Sequence, residues 1–267
     1  MEDFIYDSLL ATNIFDVMYD TVKNILTFNT TDFNIATNLY KSLLPLGYTL
    51  ILLYFLLELL EKTTHDQFNL EVFVKMFIKL VFAETIMDYG DELIGGFVSI
   101  GNWFITEVKT TTTLSRNNSP LFNEQELRTA VDGLDFWEKI PAVIMTFVIW
   151  IITAVTKLTI QVQCSIIKIE LILRAALSPI AIADMFSDIN RSTGWRYLKK
   201  ILGVAMQGGA ILAVYAIGSE FQTADMAAFV ENGEIHFEKF LDIFIITFCL
   251  IGITATSKQV INDALGN

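Results

Sequence analysis

Glu58, Lys79, Glu84, Lys157, Lys168, Glu170 and Arg174 are ionisable side chains set inside otherwise apolar segments. A charge placed there is expensive unless it finds water, protein or an opposite charge, so such residues often line a polar passage or hold helices together. Glu71, Lys75 and Lys79 follow one another at i, i+4, which puts them on one helix face in the favourable glutamate-before-lysine order. Two readings of that stripe stand: a solvated or interfacial face, or one wall of a polar passage. Glu170 and Arg174 share the spacing and can serve a passage or simply neutralise each other. A second dense stretch is ALSPIAIADMFSDINRSTGWRYLKK, residues 176–200, where an apolar run around Pro179 gives way to Asp184, Asp188 and Asn190, then to Arg191, Arg196, Lys199 and Lys200. Pro179 cannot donate to the preceding turn and is expected to kink or end a helix. The acids and Asn190 suit a turn, and Trp195 with its cations suits a membrane interface.

No catalytic chemistry accompanies these groups. The chain has no GxxxxGK[ST] loop, no HExxH and no GxSxG, hence no expected cradle for a nucleotide phosphate, no zinc-protease helix and no nucleophile elbow. His65 and His236 lack His or Cys neighbours at ligand spacing, so no metal centre is expected. Cys164 and Cys249 sit in apolar segments, where a thiol behaves as a small hydrophobe. Neither a cofactor nor enzyme activity is expected.

The elements that must position these residues are membrane helices. Of 267 residues 53% are hydrophobic and only 18% charged, with mean hydropathy +0.51, the composition of an integral membrane protein. A formal net charge of −12 excludes a broad basic surface for nucleic acid. The acidic start MEDFIYDSLL lacks the basic region and cleavage site of a secretory signal, so insertion is expected to use internal segments.

A crossing needs about 20 apolar residues. Residues 43–60 are the clearest candidate, and 201–217 and 240–256 are good ones. Residues 70–87 qualify only if Lys75, Lys79 and Glu84 find water or partners. Residues 93–104, LIGGFVSIGNWF, are too short and are expected to be re-entrant or interfacial. Residues 140–186 are mostly apolar; as one helix they would run about 70 Å against a hydrocarbon core of ~30 Å. QVQCS at 161–165 offers no turn residue for a hairpin, so one long helix is expected, its second half projecting past the lipid or lying within an assembly. The hairpin, giving six crossings, is the alternative. The cations of 187–200 place that loop in the cytoplasm, and the acidic 219–239 loop suits the outside. The fold expected is an all-α polytopic integral membrane protein of about five transmembrane helices, including the long helix 140–186, with its N-terminus out and C-terminus in.

In domain terms, 1–40 is expected to be an extracytoplasmic amphipathic region, and 41–105 a first transmembrane pair with an apolar surface segment. Residues 106–139 are expected to form an extracytoplasmic loop, Thr- and Asn-rich at first, with a short helix from Asn123 ending near Gly133. Residues 140–267 would form a core of three transmembrane helices, in which Gly208 and Gly209 allow close packing.

Within 171–213, the run LILRAALSPIAIADMF, a polar spacer and then GWRYLKKILGVAMQGGAIL resemble the core signature of the TrbL-type family, the polytopic inner-membrane subunit of type IV secretion and conjugation systems. The likeness is above all to the shorter versions in conjugative elements of Gram-positive bacteria. Ser178, Pro179 and Asp184 carry it on one side of the spacer, and Trp195, Arg196, Lys199 and Lys200 on the other. The resemblance implies a non-enzymatic channel or platform subunit in the bacterial cytoplasmic membrane. Its implied partners are lipid, copies of itself in a homo-oligomeric ring, other secretion-system subunits including separate ATPases, and transient single-stranded DNA with its relaxase. Lys75, Lys79, Glu84, Lys157, Lys168, Glu170 and Arg174 are then candidates for facing the conduit or a neighbouring subunit. Lys157, Lys168 and Arg174 could touch phosphates, since cations supply the sequence-independent part of DNA binding. The alternatives are a small-solute or ion transporter, for which inverted repeats are not evident, and a non-conducting membrane scaffold.

Overall fold

The computed structural model describes residues 14–27, 30–65, 69–115, 128–129, 131–133, 135–186, 193–231, 234–235 and 239–265. Every long apolar segment in it is helical, as it must be where no water is available to satisfy backbone N–H and C=O groups. In chain order these are α1 (Ile14–Leu26), α2 (Thr30–Thr64), α3 (Leu70–Asp88), α4 (Gly90–Ser115), α5 (Phe136–Ala183), α6 (Thr193–Phe229) and α7 (Phe240–Ala264). A 3-10 turn, Asp184–Phe186, follows α5. Among the described residues the only strands are β1 (Val230–Glu231) and β2 (Glu234–Ile235), a two-residue antiparallel ladder.

The protein is all-α and polytopic. Three stretches are long and apolar enough to cross a bilayer: Asn34–Thr64, Lys139–Phe186 and Thr193–Phe221. A fourth is α7, if its arms Phe244–Thr254 and Thr256–Ala264, bent by 52°, make one span. α3 is not among them because it carries Glu71, Lys75, Lys79, Glu84 and Asp88. The apolar surface points outward, as lipid requires: Leu52, Leu53, Leu56, Leu57 and Leu60 of α2 are 47–64% exposed. Only 11% of the α2 apolar window and 22% of the α5 window are buried, against 56% in α6, so α6 packs on protein while α2 and α5 are left to lipid or partners. Hydroxyls in these helices bond back to their own carbonyls, as Thr146 does to Ala142 at 2.8 Å and Thr156 to Ile152 at 2.8 Å.

α5 is one unbroken helix of 48 residues, about 72 Å long, with no turn at 161–165. The long-helix expectation holds and the hairpin does not. The helix also runs on through Pro179 to Ala183, so the proline does not end it. Residues 93–104 are not a separate short piece; they lie within α4, which continues through 106–115, a stretch whose Thr-rich sequence reads as loop. Buried Ile94, Val98 and Ile105 give α4 its packed seam. Its threonines stay helical by bonding back, Thr110 to Thr106 at 3.1 Å and Thr112 to Val108 at 2.7 Å. α6 likewise extends to Phe229, taking Glu220 and Asp225 out of the expected acidic loop. Arg128, Thr129, Val131 and Asp132 are helical, and the Gly133 N–H donates to the Thr129 carbonyl at 3.0 Å, the stop expected there. The start of that helix at Asn123, the first residues of the N-terminal region, Asp188, Asn190 and Arg191 lie outside the described residues.

By contacts the chain divides into two compact units. The first comprises Met1–Thr27, Trp103–Ser165 and Gly208–Gln259; the second comprises Phe28–Asn102, Ile166–Gln207 and Val260–Asn267. In the first, α1 buries Met18, Tyr19, Val22 and Leu26, and the missing side chains of Gly208 and Gly209 admit Ile105 and Phe104 of α4. The expected packing role of those glycines is thus met. In the second, α2 and α3 lie against each other and against the 3-10 turn.

Candidate functional site

Within the second unit α2 and α3 pair their charges. Asn69 caps α3 by accepting the Val72 N–H at 2.8 Å, which sets the helix phase that follows. That phase points Lys79 at α2, where its ammonium lies 3.2 Å from the Glu58 carboxylate, both groups half-buried. The same ammonium is 5.9 Å from the ring centroid of buried Phe186, which packs T-shaped with Phe55, the two centroids 6.0 Å apart. A lone lysine in mid-helix costs about 3 kcal/mol in lipid, so this pairing makes α3 compatible with an apolar setting. Lys75 instead bonds Glu71 at 2.6 Å on an exposed face, and Glu84 is also exposed.

The α3–α4 joint is clasped by tyrosines of α2. The Tyr40 hydroxyl donates to the Met87 carbonyl at 2.5 Å, and the Tyr48 hydroxyl donates to the Asp88 carboxylate. Gly90 leaves the space that the Tyr40 ring tip fills. Lys41 and Asp91 approach to 4.0 Å. Sequence reasoning missed this joint: Asp88, Gly90 and Asp91 are turn-forming types, and that was the available signal.

On the second half of α5, Arg174 donates from Nε at 2.9 Å and from Nη2 at 2.7 Å to one carboxylate oxygen of Glu170. Its guanidinium lies 5.8 Å from the Tyr197 ring centroid, and the Tyr197 hydroxyl donates to the Arg174 carbonyl at 3.0 Å. Lys168 is half-buried on the same stretch. One turn further, Pro179 has no N–H to offer the Ala175 carbonyl, and the buried Ser178 hydroxyl donates to that carbonyl instead, at 2.7 Å. The Pro179 carbonyl in turn backs onto α2 at Gly47, where a Cβ would come within 3.0 Å of it. Asp184 accepts the N–H of Thr193, the first residue of α6, at 2.8 Å, and Gly194 sits against the Ala181 carbonyl. These contacts tie the 3-10 turn and the end of α5 to the start of α6. Trp195, Arg196 and Lys200 are exposed beyond it, while Lys199 reaches the Leu265 carbonyl at 3.4 Å, beside the C-terminal end of α7 where a cation is favoured.

The structure therefore ties Lys79 to Glu58 and Phe186, and Arg174 to Glu170 and Tyr197. Lys157 is exposed on the part of α5 that belongs to the first unit. Among the described residues no three His, Cys, Asp or Glu side chains group as a metal ion would need. The arrangement can neutralise charge, lock helices and present exposed cations such as Lys157, Arg196 and Lys200.

Compared with known proteins, residues 51–257 match the TrbL/VirB6 plasmid conjugal transfer protein family. No curated protein and no solved structure matches the chain.

Proposed function

The chain belongs to the TrbL/VirB6 plasmid conjugal transfer protein family, and from that premise we propose that it is a non-enzymatic conduit or platform subunit of a conjugative DNA-transfer machine, a homo-oligomeric ring in the bacterial cytoplasmic membrane. The observation that supports the ring is the outer face of α5. Exposed large apolar residues recur along it from Ile144 to Ile180, a stripe of roughly 54 Å, while the hydrocarbon core spans only ~30 Å. About 24 Å of apolar helix is left for protein to cover, and the same face of a neighbouring copy has the matching chemistry. α3 acts as the fifth crossing, with Lys79 neutralised by Glu58. Exposed Lys75, Glu84 and Lys157 are the candidate charges that a passage or neighbour can reach, whereas Lys79, Glu170 and Arg174 are held in internal pairs. The substrate is single-stranded DNA with its relaxase, or protein, driven by ATPases on separate subunits.

Two measurements test this. Native mass spectrometry of the detergent-purified chain is expected to show a closed oligomer, and Lys75→Glu with Lys157→Glu, both exposed, is expected to lower DNA transfer. A stable monomer enclosing a polar cavity would shift the reading to a transporter, and full transfer with the double reversal would remove these cations from the mechanism.

A further inference from the structure

The first unit holds a groove between α4 and α6 that the conduit reading does not use. Its volume is about 390 Å3, in the range of cavities that take a ligand or an anchoring side chain. Val108 of α4 and Ala213, Ala216 and Ile217 of α6 form apolar walls, and Glu107 and Glu220 bring one carboxylate from each helix. The groove has a physical origin. At Gly208 and Gly209 the two helices touch, with Ile105 and Phe104 seated where side chains would be. A turn further along α6, alanine methyls replace larger groups and the gap stays unfilled.

The groove closes the stretch Thr193–Phe221, so apolar wall gives way to acidic rim where a membrane span ends. Glu107 and Glu220 are both exposed, and Glu107 has no ion-pair partner among the described residues. The Lys109 ammonium lies 4.0 Å from the centroid of the Tyr19 ring. α4 ends at Ser115, so its negative dipole end lies about two turns beyond Glu107. An apolar slot with this field selects against an anionic phospholipid, whose phosphate would meet the carboxylates.

We propose that this groove docks a basic amphipathic segment of another protein of the machine. An apolar side chain of that segment enters between Val108 and Ile217, and a Lys or Arg within one turn of it pairs with Glu107 or Glu220. The inference rests on the reading of the chain as one subunit among several. The test places a photo-reactive benzoylphenylalanine at Ile217 of the full chain, in cells carrying the complete transfer system, and maps adducts to the residue by mass spectrometry. The expected adduct lies in a different subunit, beside a Lys or Arg, and falls at least tenfold when Glu107→Lys and Glu220→Lys are added. Changing the captured cation to Glu in that background is expected to restore it. The near-isosteric pair Glu107→Gln and Glu220→Gln is expected to weaken it severalfold, and this pair supplies the reading if the lysine variant does not fold. Adducts only with lipid, only with a second copy, indifferent to charge, or none at all would each overturn the proposal. Deleting the chain separates the two readings: unaffected DNA transfer rejects the subunit role, whereas lost transfer without a charge-dependent adduct rejects the groove alone.

Discussion

At the scale of the residue, the protein handles charge and hydrogen bonding in apolar helices by local compensation. Lys79 meets Glu58 at 3.2 Å with only about a quarter of either side chain exposed, so removing one partner leaves the other stranded, which costs more than the pair is worth. Glu58→Ala is expected to lower stability in detergent by about 2 kcal/mol, and the exchange of Glu58→Lys with Lys79→Glu to recover most of it. An unchanged melting temperature in Glu58→Ala would show that the pair carries no weight. The buried Ser178 hydroxyl does similar work for the backbone, covering the Ala175 carbonyl that Pro179 cannot reach. Ser178→Ala is expected to cost about 1 kcal/mol with Pro179 present. The cost should shrink in a Pro179→Ala background, where an amide returns to that carbonyl. Equal costs in the two backgrounds would mean the hydroxyl serves something else.

At the scale of the element, helices are brought close by absent side chains. A Cβ at Gly209 would run into the Phe104 ring, and one at Gly47 would meet Met87 Sδ at 2.7 Å. Gly209→Val is expected to destabilise by about 1–3 kcal/mol through overpacking. Phe104→Ala should restore part of that loss, because it empties the space the valine needs. Melting of the two single variants and the double reads this directly; a double variant as unstable as the sum of the singles would mean that α4 and α6 do not meet at this position. α5 shows the complementary case, a helix that runs through Pro141 and Pro179 and meets no Gly, Asn or Asp before Asp184, so its length is not set by the thickness of the bilayer.

At the scale of the whole molecule, the cations of Arg196, Lys199 and Lys200 favour a cytoplasmic turn, and a single passage of α5 then puts Asp135 on the far side. Cysteine labelling checks this in a Cys249→Ser background, since Cys249 is exposed and Cys164 is buried. Asp135→Cys is expected to react with an impermeant thiol reagent in intact cells, and Lys200→Cys only after permeabilisation. Reaction of both from the same side would overturn the single passage. The excess apolar length of α5 predicts that shortening it is more damaging than its membrane span requires. Deleting eleven residues, close to three turns, from its second half should abolish assembly on native mass spectrometry while leaving the chain membrane-bound.

The resemblance around Ser178 and Trp195 pointed to the family, while composition and periodicity by themselves determined that the chain is an all-α membrane protein and that 140–183 lies in one helix. Those properties follow from runs of apolar residues and from missing turn formers, which are local and additive along the chain. Helix ends were less legible: 106–115 and 219–229 read as loop from their Thr and acidic residues, yet both are helical, and in the first Thr110 and Thr112 bond back to carbonyls one turn earlier. The i, i+4 pairs Glu71–Lys75 and Glu170–Arg174 were readable because one helix creates them. Glu58–Lys79, Tyr40 on the Met87 carbonyl and the groove at Glu107 and Glu220 were decided only by tertiary structure. Each joins residues distant in sequence, and their meeting depends on the relative rotation and depth of two helices, which no spacing within either helix encodes.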